Sequence, residues 1–145
     1  MNVSGKLVCI TGGMGLLGTQ WRESLSQAQA RVDTIDKGHK FSPTDVTCPD
    51  DLRTYLSELE PDVPDALICA AAIDNPPGTN DSGPWANWQN IVDVNLTGVK
   101  NCCEIIGGAM AERGGGSIIL VSSIYGMVSP DNRRYDNFQK PIAYS

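Results

Sequence analysis

Short apolar runs alternate along the chain with stretches of helical spacing, and this alternation sets the order of the predicted elements. The run Lys6 to Ile10 predicts a first strand, and Gly15 to Ala28 a helix in which Leu17, Trp21 and Leu25 recur every four residues as one buried stripe. Val32 to Asp36 reads as a second strand. Asp50 and Asp51 precede Leu52, Tyr55, Leu56 and Leu59, a helical pattern whose acidic start suits the positive end of the helix dipole. Ala66 to Ala72 is continuously apolar, as expected of a parallel strand covered by helices on both faces. After the glycine and proline stretch Pro76 to Pro84, a helix is predicted from near Trp85, with Trp85 and Trp88 as packing residues. Its stripe continues through Leu96, Val99, Cys103, Ile106 and Met110 and stops at Gly114 to Gly116. Ser117 to Ser123 supplies the last clear strand, and a short extra strand is predicted near Asp45. Such alternation implies right-handed crossovers and an α/β, doubly wound parallel sheet. Ligands bind such a sheet at the carboxyl ends of its strands, where Gly12, Asp36, Ala71 and Ser123 fall.

The first of those ends carries a specific chemistry. Thr11-Gly12-Gly13-Met14-Gly15-Leu16-Leu17-Gly18 joins a strand to a helix, the anatomy of a dinucleotide-binding turn in a Rossmann-like fold. Glycine lets the backbone turn sharply and approach a pyrophosphate, and the helix N-terminus offers N–H groups to the negative charge. Asp36 ends the second strand 18 positions after Gly18, close to the ~20 residues at which such folds place the acid that holds the ribose hydroxyls. It favours NAD over NADP, although the basic run Lys37-Gly38-His39-Lys40 would tolerate a 2′-phosphate. His39 itself reads as a solvated loop residue.

Composition narrows the functional classes. The 145 residues carry 11 Lys and Arg against 17 Asp and Glu, a net charge of −6, which argues against nucleic acid as a partner. No charged and apolar leader precedes the first strand, and the longest apolar run, Ala66 to Ile73, is far short of the roughly 20 residues that span a bilayer. These features predict a cytoplasmic protein with no membrane partner. Cys9, Cys48, Cys69, Cys102 and Cys103 include no CxxC pair, so they read as reduced thiols rather than a disulfide framework or a metal site. Cys102 and Cys103 read as helix packing.

Four segments together carry a family resemblance. The Thr11 to Gly18 loop, Asp45-Val46-Thr47, Asp93-Val94-Asn95-Leu96-Thr97-Gly98 and Ser122-Ser123-Ile124-Tyr125-Gly126 resemble, in order, the signature segments of the short-chain dehydrogenase/reductase family. The resemblance implies that residues 1–145 form an NAD(P)-binding Rossmann domain, incomplete at its C-terminus. It implies a cofactor cradle of Gly12, Gly13, Met14, Gly15, Leu16, Leu17, Asp36, Asp45, Val46, Ala70, Ala71 and Ala72. The small residues Ala70 to Ala72 stand where the family usually shows Asn-Asn-Ala-Gly. It also implies Ser123, Tyr144 and Asn95 as catalytic residues, with Tyr144 as the base. The family's Lys partner of that Tyr would fall at position 148, beyond Ser145. Tyr135 is a rival for the base, but Gln139 rather than Lys lies four residues after it. Pro141-Ile142-Ala143 before Tyr144 suits the start of the family's catalytic helix.

Ser129 to Lys140 reads as an insertion beside the substrate pocket, with Arg133 and Arg134 as candidates for binding an anionic group, or equally as a solvated loop with surface Arg residues. This segment resembles members from bacterial surface-glycan and flagellin-modification pathways, which implies a sugar or nucleotide-sugar substrate. The expected activity is therefore an NAD(P)-dependent interconversion of a secondary alcohol and a ketone, in a homo-oligomer. Two alternatives stand beside it: a non-catalytic nucleotide-binding fragment, and an NAD-retaining sugar-nucleotide epimerase or dehydratase, suggested by the TGxxGxxG spacing.

Overall fold

Four parallel strands form where the sequence places its apolar runs: β1 (Leu7–Thr11), β2 (Arg31–Ile35), β3 (Ala66–Cys69) and β4 (Ser117–Leu120). The structure is a computed structural model that describes residues 2–74, 87–134 and 140–144. The strand order is β2-β1-β3-β4, so the winding reverses between β1 and β3, the place where doubly wound sheets open a crevice. Thr11, Ile35, Cys69 and Leu120 are in register across the sheet and mark its carboxyl edge.

The connecting helices are α1 (Leu16–Gln27), α2 (Pro49–Leu59), α3 (Trp88–Val92) and α4 (Val99–Glu112), the last two joined by a π-helical turn over Asp93–Gly98. α2 and α4 bury one face of the sheet, where Cys9, Ile35, Leu67 and Cys69 meet Leu52, Tyr55, Cys102, Ile106 and Met110. The Tyr55 hydroxyl donates to Cys9 Sγ (3.1 Å) and Asp33 Oδ2 (3.2 Å), so the polar atom in this core is satisfied.

The other face differs from the sequence expectation. Gly18 is the buried residue of α1, while Leu17 is 54% exposed and Trp21 and Leu25 are half-buried. The helix contacts β1 and β2, and its Trp21 and Leu25 line a groove of about 420 Å³ with Ile68, Ile119 and Val121. Among the described residues nothing closes that groove, and Ile118 to Val121 are all exposed.

Three further expectations are corrected. The segment at Asp45 is a turn, because Asp45 Oδ1 accepts from the Thr47 N–H (2.9 Å) and hydroxyl (2.8 Å) and folds the chain back before it can extend. Leu96 is exposed, and Cys102 is fully buried with Ile106 and Met110 while Cys103 is half-buried against the same core. The π turn adds a residue and rotates everything before it, which moves Leu96 off the face that a 3.6-residue period assigns to it. Trp88 is an exposed residue in the first turn of α3, not core, while Trp85 and Tyr135 lie outside the described residues.

Candidate functional site

The groove begins at the carboxyl edge of β1. Gly12 has φ +71°, and a Cβ there would lie 2.8 Å from Ala71 Cα, so only glycine lets the loop and the end of β3 come this close. The close approach is fixed by Thr11, whose Oγ1 accepts from the N–H groups of Ala70 and Ala71 at 3.0 Å each. Both bonds explain why β3 ends at Cys69 and β1 extends to Thr11: a side chain replaces the ladder. At Gly18 a Cβ would lie 2.3 Å from the Gly12 carbonyl oxygen, so this glycine lets α1 begin directly over the turn.

Asp36 stands at the end of β2 and accepts from the Met14 N–H (2.9 Å) and the Gly38 N–H (2.8 Å). The carboxylate thus ties the glycine turn to the β2 end. Across the groove Asp45 pairs with Lys37 at 2.8 Å. Burial pushes the Asp45 carboxyl up, but Lys37 and the two Thr47 donors outweigh it and hold it below the usual carboxylate range.

These residues enclose about 470 Å³, bordered by Gly12, Gly15, Leu16, Asp36, Asp45 and Ala71 among others. Leu17, Val46, Ala70 and Ala72 also line the cavity; Gly13 packs against Thr34 instead, and Met14 contributes its backbone N–H to Asp36. No side chain caps α1, and Leu16, Leu17 and Gly18 of its first turn line the groove, which leaves their N–H groups for a pyrophosphate. The glycine cradle, those N–H groups and the two carboxylates, Asp36 and Asp45, fit a dinucleotide.

The far end of the groove is set by Asn95, in the π-helical turn. Its Oδ1 accepts from the Ile73 N–H (2.8 Å) and its Nδ2 donates to the Ile73 carbonyl (3.0 Å), a two-point grip on the chain just past β3. π turns often mark functional positions, since the extra residue re-aims one side chain. Here that side chain is Asn95.

Beyond this grip lie the remaining candidates. Ser123 caps the 3₁₀ turn Ile124–Gly126, its Oγ accepting from the Tyr125 N–H at 3.2 Å. Tyr144 ends the 3₁₀ turn Ile142–Tyr144, which packs on α3. Lys140 joins them: its ammonium lies 4.8 Å from the centre of the Tyr144 ring and 5.9 Å from that of Tyr125, and it is paired with Asp74. A second cavity, about 510 Å³, is bordered by Tyr125, Met127, Val128, Ser129, Lys140 and Ile142. Arg133 and Arg134 border neither cavity; both are exposed, Arg133 gripping Asp131 at 2.8 and 2.9 Å and Arg134 approaching it at 3.8 Å.

The model of the short chain dehydrogenase family matches residues 6–135. The chain belongs to the short-chain dehydrogenase family. Among solved structures, a short chain dehydrogenase from Leptospira borgpetersenii with bound NAD+ superposes with a TM-score of 0.82 at 28% identity, covering 99% of this chain and 60% of that one. Sorbose reductase of Candida albicans is 25% identical over 88% of this chain and 52% of its own length. 2-Dehydro-3-deoxy-D-gluconate 5-dehydrogenase of Bacillus subtilis is 29% identical over 77% of this chain and 44% of its own length. This short-chain dehydrogenase chain spans about half the length of these curated relatives. Among its described residues no helix is long and apolar enough to cross a membrane.

Sequence reasoning singled out the glycines, Asp36, Asp45 and Asn95 but not the partners that hold them. Thr11, Lys37 and Ile73 were read only as parts of longer segments, without these partners, and Asp74 was not singled out. For Lys140 a signal existed, its spacing of four from Tyr144.

Proposed function

We propose that this short-chain dehydrogenase uses NAD to interconvert a secondary alcohol and a ketone on a small sugar or sugar acid. One observation carries the reading: a groove at the carboxyl edge of the sheet is lined by the glycine turn, Asp36 and Asp45 and reaches Ile73, which Asn95 holds, while Lys140 lies against the Tyr144 ring. Gly12, Gly15, Leu16 and Leu17 would hold the pyrophosphate, and Asp36 the ribose hydroxyls. Asp45, Val46 and Ala70 to Ala72 would flank the adenine and its ribose. A 2′-phosphate would meet the Asp36 carboxylate directly, which favours NAD over NADP. The bound nicotinamide supplies the acceptor for the hydride that leaves the alcohol carbon.

The chain's own residues handle the proton and the oxygen. Tyr144 takes the hydroxyl proton in the oxidative direction and returns it in the reductive one, while the Ser123 hydroxyl donates to the substrate oxygen as charge develops there. Asn95 fixes the wall at Ile73 and keeps one N–H and one lone pair for a water relay. A free sugar acid is preferred to a nucleotide-linked sugar of surface-glycan pathways, because the relatives above are named for a sugar and a sugar acid. The working enzyme is a cytoplasmic homo-oligomer in this reading, and Leu96, 67% exposed, gives the helix carrying Asn95 an apolar outward residue for that assembly.

The test is titration of NAD+ and NADP+ followed by turnover on sugars, alditols and aldonates, using the whole open reading frame that contains these residues. NAD+ should bind at least tenfold more tightly than NADP+, and Asp36→Ala should narrow the difference. Tyr144→Phe should abolish turnover while leaving NAD+ affinity in place. Tight NADP+ binding would refute the cofactor assignment. NAD+ binding without turnover on any substrate would favour the second reading, a nucleotide-binding unit.

A further inference from the structure

We infer that Lys140 is the specificity residue of the substrate pocket, receiving a carboxylate of the substrate in exchange for Asp74; this rests on the reading above and names its substrate class as sugar acids rather than neutral sugars. Lys140 is the cation bordering the 510 Å³ cavity among its described lining residues, and its side chain is only 15% exposed. The cavity lies within the range of small-molecule pockets and suits a six-carbon chain. Met127, Val128 and Ile142, which border it, are exposed, so the sheltered part of this cavity is the Lys140 side chain itself.

The ammonium already holds a carboxylate, that of Asp74. A carboxylate is therefore the group whose charge and size the position accepts, and Asp74 acts as its stand-in. The Asp74 side chain is 26% exposed, so water can take it up when a substrate displaces it. Position matters as much as charge. Lys140 lies against the ring of Tyr144, so a substrate anchored on it presents its carbon chain to the proton acceptor. Asp74 follows Ile73, the residue gripped by Asn95, so the exchange takes place at the mouth of the dinucleotide groove. Arg133 and Arg134, the other cations of this segment, are 89% and 83% exposed and turned to Asp131. One half-buried ammonium matches a monoanionic carboxylate better than a dianionic phosphate, for which an Arg fork is the usual partner.

D-Gluconate and D-sorbitol differ in one group, a carboxylate against a hydroxymethyl, and form the matched probe pair. Dissociation constants for both, from NMR titration of the whole protein with NAD+ present, do not depend on turnover; KM and kcat are measured in parallel. The intact protein should prefer gluconate by about tenfold to a hundredfold, the range of one charge-assisted hydrogen bond. Lys140→Met should bring the preference close to unity, Lys140→Arg should keep most of it, and Asp74→Asn should increase it by removing the competitor. The KM ratio should follow the binding ratio. Absence of a gluconate preference in the intact protein, its survival in Lys140→Met, or its loss in Arg133→Met instead would each overturn the assignment. A gluconate preference in binding with no turnover would sink the dehydrogenase reading and leave this one standing. Turnover of sorbitol and gluconate with equal KM would do the reverse.

Discussion

Replacing Thr11 by Val isolates the contact that brings the two halves of the groove together. The Thr11 side chain is almost fully buried, and its Oγ1 accepts two backbone N–H groups, from Ala70 and Ala71, at 3.0 Å. Val keeps the volume and the β propensity and removes only the acceptor, leaving two donors without it. An unsatisfied buried donor costs ≈1–3 kcal/mol; both residues are half-buried, so water restores part of the loss and the lower half of the range applies, about 2–4 kcal/mol in total. That is a large part of the 5–15 kcal/mol by which domains are stable.

Thr11→Ser is the control, since it keeps the hydroxyl and loses one buried methyl, about 1 kcal/mol. Equilibrium urea unfolding of the two variants gives the difference directly, provided the slopes agree. Val should be the less stable by about 1–3 kcal/mol. It should also weaken NAD+ binding, because a Cβ on Gly12 would sit 2.8 Å from Ala71 and that spacing is held by the lost bonds. If Val is as stable as Ser, the shared hydroxyl is not what closes the floor of the groove, and the account of why β3 ends at Cys69 fails with it.

Two further predictions test separate parts of the structure. Gly18→Ala should abolish NAD+ binding and lower the urea midpoint, because the new Cβ meets backbone at 2.3 and 2.6 Å, whereas Gly15→Ala, whose Cβ meets only the Gly12 oxygen at 3.2 Å, should keep most of both; equal effects would contradict the loop geometry. Burial pushes the Cys9 thiol up to about 12 from 9.0, against the lowering effect of the Tyr55 hydroxyl. The native state therefore keeps a proton that the unfolded chain loses, so its stabilising contribution is complete below pH 9 and declines toward pH 12. The limiting slope is about 1.4 kcal/mol per pH unit for one thiol. Denaturant midpoints at pH 8 to 11 for the native sequence and Cys9→Ala should converge as pH rises, and parallel curves would refute the assignment.

What the sequence revealed follows the range of the interactions involved. The glycine turn, Asp36 and the alternation of strands and helices rest on turn chemistry and periodicity within a few residues, and each appears where it was expected. The α1 stripe was misread because periodicity identifies an apolar face but not the element that covers it, and Trp21 and Leu25 border an open groove. Leu96 was misplaced because a 3.6-residue template run backward from Met110 takes no account of one inserted residue in the π turn. Asn95 could be named from its motif, yet Ile73, 22 residues away, could not be identified as its partner.

Contacts that start at that π turn link residues of the two cavities. Asn95 spends one donor and one acceptor on Ile73, which fixes the backbone where the dinucleotide groove ends. The next residue is Asp74, whose carboxylate holds Lys140, and Lys140 lies on the rings of Tyr125 and Tyr144. Tyr125 in turn donates its N–H to Ser123. Every candidate catalytic residue is therefore reached from the π turn through one unbroken set of contacts, none of them contributed by Arg133 or Arg134. Of the segment before Tyr144, Lys140 reaches Asp74, past the end of β3, while Arg133 and Arg134 remain at the surface with Asp131.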